Sequence, residues 1–453
     1  MSSTLGFYGG VGSVTGANFM LDTGKLAVLV DCGLVQGDKF AKEVNAKPFV
    51  YDAKKVDILF VTHAHADHIG RIPKLVRDGF RGKIYSTEPT KALAAIMFED
   101  ALHIMLYEAK RDKQPPMYGE EDIELALSLW DTRGYSEAIS LEDDVTATFF
   151  DAGHILGSAM VHFERDGKKI VFTGDIGNVP QPLLGKPDIP KNYDYMVMES
   201  VYGDRVHEEV EERVAILQHH IEETIRTNGT LIIPAFSLER TQGIIFEINN
   251  MIESGKVPAI KTYLDSPLAI RVTSVYRDSI EYLKPEVQEQ IKAGDDIFSF
   301  DGLSFTETVK ESNQIARFNG PKIIIAGSGM SHGGRIRDHE KRYLDDDNTT
   351  LLLVGYQTAG SVGRLLQDGA KHIKIDGMDV KVNAKVVTIR GFSGHADRNQ
   401  LIDLVNGGCE NAKQVFVAMG EERSSLFLTQ RLRDYLGVNA LAPDENAEIE
   451  IDF

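Results

Sequence analysis

Cysteine, tryptophan and positive charge are the scarce ingredients of this 453-residue chain. Only Cys32 and Cys409 occur, too few for a disulfide framework or a four-cysteine zinc site. Long apolar runs are missing as well, and none approaches the roughly 20 residues that a membrane-spanning helix requires. The opening residues Met1-Ser2-Ser3-Thr4-Leu5-Gly6 show neither a basic n-region nor an apolar signal core. Together these absences predict a protein of the reducing cytoplasm. Lys and Arg number 49 against 68 Asp and Glu, a formal charge of −19, which argues against a partner recognised through a broadly basic surface. Net charge is a whole-surface property, however, and a site can be locally basic. Arg71, Lys74, Arg77, Arg81 and Lys83 stand against Asp78 in one stretch; Arg335, Arg337, Lys341 and Arg342 form another. Either stretch alone reads as a solvated helix face.

What is present is a recurring pattern. Short apolar runs end in polar or glycine-rich residues at Val56–Thr62, Lys169–Asp175, Thr230–Ser237, Pro321–Gly329, Thr350–Tyr356, Ala384–Phe392 and Gln414–Gly420. Several are almost wholly Val, Ile, Leu and Phe, as in strands buried on both faces. Helical periodicity separates some of them, at Glu208–Thr227, Arg240–Glu253 and Asn399–Asn406. Strand–helix alternation predicts an α/β architecture with ligands at the carboxyl ends of strands, and the length predicts two domains. The polar stretch Phe98–Ser140, with the Pro115-Pro116 break and the lone Trp130, reads as a helical insertion covering the site, or as a plain surface excursion.

The densest chemistry is Thr62-His63-Ala64-His65-Ala66-Asp67-His68. His63 and His65 are two apart, so they share a side only on extended chain. Asp67 and His68 follow where the chain turns into a helix. Four ligand-type residues in six, directly after a buried strand, select a metal site over a His-rich surface turn; imidazole with carboxylate suits zinc. Asp151-Ala152-Gly153-His154 and Phe172-Thr173-Gly174-Asp175 end two further runs. With them two sites are complete: His63, His65 and His154 for one ion, Asp67 and His68 for the other, Asp175 bridging.

His-x-His-x-Asp-His, a later Gly-His and Thr-Gly-Asp resemble motifs two, three and four of the metallo-β-lactamase superfamily. Asp31 in Val30-Asp31-Cys32-Gly33 is similar to the first motif, whose aspartate orients the site without ligating. Gly9-Gly10-Val11-Gly12-Ser13-Val14-Thr15-Gly16-Ala17-Asn18 resembles the superfamily's β-CASP branch. So do Glu199-Ser200-Val201-Tyr202-Gly203 (motif A), Pro234-Ala235-Phe236-Ser237, Leu264-Asp265-Ser266-Pro267 and Gly327-Ser328-Gly329-Met330 with Gly333-Gly334-Arg335. Gly391-Phe392-Ser393-Gly394-His395-Ala396-Asp397 resembles motif C. His395 would complete the second metal site, and a histidine there goes with RNA-processing members of the branch. The chain departs at motif B: Gly360-Ser361-Val362-Gly363-Arg364-Leu365-Leu366 has no histidine. Arg364 is left either to contact phosphate or to pair with a surface acid.

The resemblance implies a metallo-β-lactamase αββα sandwich over residues 1–205 and 385–453, with an inserted α/β β-CASP domain at 206–384 capping a cleft for RNA. It implies two zinc ions, or manganese, holding the hydroxide that attacks RNA phosphorus. Asp67, Glu199, His395 and Asp31 are then the catalytic candidates, and Ser328, Gly329, Met330, Arg335 and Arg364 the substrate contacts. The expected activity is hydrolysis of single-stranded RNA, as endonuclease, 5′-3′ exonuclease or both, by a homodimer or within a processing complex. A DNA nuclease, a small-ester hydrolase and a non-catalytic scaffold are the competing readings.

Overall fold

The apolar runs become strands. The computed structural model describes residues 3–37, 40–207, 210–355, 357, 360–389 and 391–453, and the chain divides into two compact units. Three of the sequence expectations reach beyond the described residues: the run to Tyr356, the helix from Glu208, and Arg390 within Ala384–Phe392.

The first unit comprises Met1–Val179, Lys186–Val206 and His395–Phe453. Two seven-stranded sheets build it. One runs in the order Ala447–Ile451, Ser3–Gly9, Asn18–Asp22, Ala27–Val30, Ile58–Phe60, Lys83–Ser86, Trp130–Thr132; the other runs Ala440–Leu441, Gln414–Val417, Tyr195–Met198, Lys168–Phe172, Ala159–Arg165, Thr146–Asp151, Ala138–Ser140. Alternation along the strands explains the layering. Val28 and Val30 join Phe7, Phe19, Phe60, Phe149, Phe163, Phe172 and Phe416 in one buried cluster between the sheets. Phe60 meets Phe163 edge-on at 5.1 Å. Each such ring contributes roughly 1.5–3 kcal/mol by leaving water. The opposite face of the second sheet presents Met196, Met198, Val415 and Val417 to Leu401 and Leu404 of helix Arg398–Asn406 and to Leu428 and Leu432 of helix Glu422–Leu436. Helices Ile72–Arg77 and Glu88–Asp112 bury Leu75, Leu93 and Phe98 on their inner sides. The result is the αββα sandwich.

The second unit comprises Pro180–Gly185 and His207–Gly394, so it is inserted in the first along the chain. Its six-stranded sheet is parallel throughout, in the order Leu303–Phe305, Lys261–Leu264, Lys322–Ala326, Thr230–Pro234, Thr349–Val354, Lys385–Ile389. Consecutive Leu231, Ile232 and Ile233 are all buried, as a sheet covered on both faces demands. Helices Val210–Thr227 and Arg240–Glu253 form where the 3.6-residue period indicated.

The insertion reading of Phe98–Ser140 needs correction in part. Helices occupy Glu88–Asp112 and Glu120–Ser128, but Trp130–Thr132 and Ala138–Ser140 are edge strands of the two sheets. Trp130 is core: its indole N–H donates to Ser86 Oγ at 2.8 Å and its ring packs 6.3 Å from Phe98. Three-residue strands are too short to announce a period of two.

The two basic stretches are likewise not free helix faces. Arg71 donates to the Gly33 carbonyl at 2.7 Å, and Lys74 is buried in a pair with Asp78. Arg77 holds the carbonyls of Pro116 and Met117, and Arg81 those of Val76 and Phe80. Farther on, Arg337 and Lys341 both pair with Asp376.

Candidate metal centre

Strand ends in the first unit deliver the site. Asp31 follows strand Ala27–Val30, His63 follows Ile58–Phe60, Asp175 follows Lys168–Phe172 and Glu199 follows Tyr195–Met198. His65 is extended at φ −68°, ψ 147° and stands at the N-terminus of the short helix Ala66–Ile69, which carries Asp67 and His68. His395 arrives through an antiparallel bridge to Gly177, and the N–H of Ala396 donates to Ile176 O at 2.7 Å. Close approach requires glycine twice. A Cβ on Gly33 would lie 1.5 Å from the Asp67 carbonyl oxygen, and one on Gly174, at φ +53°, would lie 2.7 Å from Thr62.

Two donor sets result. In the first, His63, His65, His154 and Asp175 bring one ligand atom each to within 4.8 Å of all the others. His63 Nε2 is 3.0 Å from His65 Nδ1, which is 3.2 Å from His154 Nε2; Asp175 Oδ2 is 3.4 Å from His63 Nε2 and 3.6 Å from His154 Nε2. In the second, Asp175, Glu199 and His395 meet the same limit. His395 Nδ1 lies 3.3 Å from Glu199 Oε1 and 3.8 Å from Asp175 Oδ2. His68 adjoins both sets, with Nε2 3.4 Å from Asp175 Oδ1. Those two atoms are buried without a hydrogen-bond partner among the described residues.

The arrangement fits bound cations. Buried lone pairs turned on one another are unfavourable until a positive ion stands among them, and an orphaned imidazole nitrogen beside an orphaned carboxylate oxygen is what a ligand pair lacks before its metal. Burial lowers the pKa of His65 and His154 well below the ordinary imidazole value, which keeps them neutral and able to ligate. Burial opposes ionisation of Asp175, but the surrounding His68, His395 and His63 outweigh it and hold its carboxyl well below the usual range.

Second-layer contacts orient these groups. Asp31 accepts from Thr62 N–H at 2.8 Å, from Thr62 Oγ1 at 2.8 Å and from His68 Nδ1 at 2.7 Å, which presents His68 Nε2 to Asp175. Glu199, 1% exposed, accepts from Ile176 N–H at 2.6 Å and faces His395. The half-buried Asp67 carboxylate is in neither set; it acts on His395 through its charge. Thr62, which carried no role in the sequence reading, is the hub between Asp31, His63 and His68, with Oγ1 3.1 Å from His63 Nδ1.

The five substrate candidates lie in the second unit and are engaged locally. Ser328 Oγ accepts from the N–H groups of His332 and Gly333, Gly329 O accepts from Gln357, and Met330 O accepts from Gly363 N–H. Arg335 donates to Asp265, Thr306 O and Glu307 O. Arg364 pairs with Asp368 one helical turn on, the surface alternative left open by its sequence.

An αββα sandwich whose strand ends converge buried imidazoles and carboxylates defines a metal-dependent hydrolase. Comparison with known proteins places it more closely. Residues 13–204 match the metallo-beta-lactamase superfamily, 241–366 the Beta-Casp domain, and 379–443 a Zn-dependent metallo-hydrolase RNA specificity domain. The chain is 37% identical over 425 residues to ribonuclease TTHA0252 of Thermus thermophilus, covering 94% of this chain and 95% of that one. An RNase J-like protein of Methanocaldococcus jannaschii is 33% identical, with 97% of each chain covered. Transcription termination factor FttA of Methanosarcina mazei is 30% identical over 96% of this chain and 69% of its own. A crystal structure of a protein of unknown function from Enterococcus faecalis shares the fold at TM-score 0.56 and 12% identity, with all of both chains covered. The chain belongs to the metallo-β-lactamase superfamily, in its β-CASP ribonuclease family. Among the described residues no helix is long and apolar enough to cross a membrane.

Proposed function

We propose that this protein is a zinc-dependent ribonuclease that hydrolyses phosphodiester bonds of single-stranded RNA, internally, from the 5′ end, or both. The observation that carries the reading is the pair of donor sets sharing Asp175, set in a chain 37% identical along nearly its whole length to a ribonuclease. His63, His65, His154 and Asp175 would hold one zinc ion; Asp175, His395 and the adjoining His68 would hold a second, joined by Asp67, which the family resemblance adds to a set the geometry closes with Glu199, with manganese as the alternative metal. Bound zinc supplies Lewis acidity and brings the pKa of water to about 7, which phosphodiester hydrolysis at neutral pH needs. The protein supplies orientation. Asp31 fixes the His68 ring, and Glu199 fixes His395 while its other oxygen, Oε2, receives Val201 N–H at 3.3 Å. Substrate contact in the second unit is assigned to the loop at Ser328, Gly329 and Met330 ahead of Arg335 and Arg364, whose guanidinium groups already have carboxylate partners.

The test is cleavage of a 5′-labelled single-stranded RNA by zinc-loaded protein, with His65→Ala alongside and single-stranded DNA and a thioester as parallel substrates. Internal cuts or 5′ mononucleotides, lost in the variant, are the expected result. Turnover of DNA or thioester with RNA untouched would overturn the proposal.

A further inference from the structure

Helix Glu422–Leu436 begins against the metal centre. Ser424 Oγ donates to the Ser200 carbonyl at 2.6 Å, and the hydroxyls of Ser425 and Ser200 lie 2.8 Å apart, one residue from Glu199. Ser424, Ser425, Leu428, Thr429 and Leu432 anchor its buried face. Its outer face carries Arg423, Phe427, Arg431 and Tyr435 at four-residue steps, neighbours along one helical row. The Arg431 guanidinium lies over Phe427 at 4.9 Å and over Tyr435 at 5.2 Å, and donates to the Tyr435 hydroxyl at 2.7 Å. The ends of the row face solvent: the Arg423 side chain is 89% exposed and Tyr435 is 63% exposed.

The row continues inward to the site. Arg423 Nε is 4.0 Å from Asp204, which also binds Arg205; the Arg205 guanidinium lies 5.7 Å from the Tyr202 ring, and Tyr202 lies 6.2 Å from His395. Rings and guanidinium groups thus follow one another from His395 to Tyr435, with the Asp204 carboxylate as the one link between Arg205 and Arg423. The helical part alone extends about 18 Å at the rise of an α-helix.

We propose that this face of helix Glu422–Leu436 is a binding site for single-stranded RNA, distinct from the metal centre, which holds the strand flanking the reacting phosphodiester. The proposal rests on the ribonuclease reading and extends it. Stacking surfaces interleaved with cations match a chain of bases and phosphates, since every base has a π-face and every linkage a negative charge. A second protein copy fits less well. The adjoining row carries Glu422, Leu426, Gln430 and Asp434, with Gln430 bonded to Asp434 at 2.7 Å, and a lone exposed leucine is a poor centre for a stable dimer.

The experiment uses full-length zinc-loaded protein as wild type, as Arg431→Ala/Tyr435→Ala and as Arg431→Lys. Binding is read by fluorescence anisotropy and cleavage by KM and kcat, on RNA of about 4 and about 20 nucleotides, given that single-strand sites take roughly 4–16. For the long RNA the double variant should bind about tenfold more weakly with KM raised in step and kcat unchanged. The short RNA should be unaffected. Arg431→Lys, which keeps the charge but loses the plane, should fall between. Long-RNA binding unchanged in the double variant overturns the proposal, as does a wild type that binds no RNA. So does a double variant whose only change is dissociation of a larger species in sedimentation, which would assign the face to a second copy. A protein that binds long RNA through this row without cutting it would overturn the ribonuclease reading and leave the surface standing.

Discussion

Asp31 acts one bond away from the ligands. Its carboxylate takes three donors, one of them His68 Nδ1, and so sets the tautomer that offers Nε2 to the metal. In Asp31→Asn the anionic acceptor is gone while the shape persists. Zinc affinity should fall about 10–100-fold, as for other outer partners of ligating histidines, with the circular dichroism spectrum retained. Competition with a chromophoric chelator measures it, and undiminished affinity would detach Asp31 from the metal. At this scale much of the centre was legible. His63, His65 and His68 announced themselves by crowding at the end of a buried strand, and His154 and Asp175 by ending two more. Thr62 did not, because a threonine at a strand end is ordinary; its role exists only once Asp31, His63 and His68 surround its hydroxyl. The carboxylate partners of Arg335 and Arg364 were hidden for the converse reason, since a cation's partner cannot be seen until the chain is folded.

Strands showed more plainly than their edges. Runs such as Thr230–Pro234 and Lys322–Ala326 are buried on both faces and read as unbroken apolar stretches, whereas Trp130–Thr132 is too short to declare itself. One polar residue after the neighbouring, alternately buried strand holds its element together. Asp265 follows strand Lys261–Leu264, is fully buried, and accepts from Thr306 Oγ1, Ser312 Oγ, Arg335 Nη1 and His339 Nε2 at 2.6–2.7 Å. Burial alone would raise its pKa, but these donors bring it down to about 2. A depressed carboxylate stabilises the fold above its unfolded pKa of about 3.9, and the contribution is lost as pH falls through 2. The shift corresponds to about 2.5 kcal/mol. Calorimetric melting of the wild type should therefore lose stability between pH 4 and 2 that Asp265→Asn never had. Asp265→Ala removes the carboxylate that pairs with Arg335 and His339, leaving Arg335 only carbonyl acceptors, and should cost about 3–5 kcal/mol at neutral pH. A wild type and an Asp265→Asn variant with parallel acid profiles would show the carboxylate to be idle.

The whole molecule sets an acidic chain of net charge −19 against a polyanionic substrate. Zinc has to reconcile part of that conflict. Binding only the native state, it should stabilise by about 2.7 kcal/mol when free zinc is a hundredfold above its dissociation constant. Chelation should then lower the melting temperature by roughly 3–5 °C, and two equivalents of zinc should restore it. Full recovery at one equivalent would reduce the centre to one ion. The rest of the conflict falls to arginine, and here the net charge misled: it counts side chains without their partners. Of the two basic stretches, Arg71, Lys74, Arg77, Arg81, Arg335, Arg337 and Lys341 are committed to carbonyls or carboxylates. Arg423 stands 4.0 Å from its nearest carboxylate and Arg431 stacks between rings, so the phosphate-facing charge of helix Glu422–Leu436 is small and local. Each phosphate neutralised on a single strand contributes about −0.7 to the slope of log K against log salt. Two or three arginines therefore predict a slope of about −2 for long RNA, shallow for a nucleic-acid enzyme, and flatter still in Arg423→Ala/Arg431→Ala. Anisotropy titrations over a salt series give that slope directly. A slope steeper than about −5 would require seven or more phosphate contacts and would place the main RNA footprint on cations other than these.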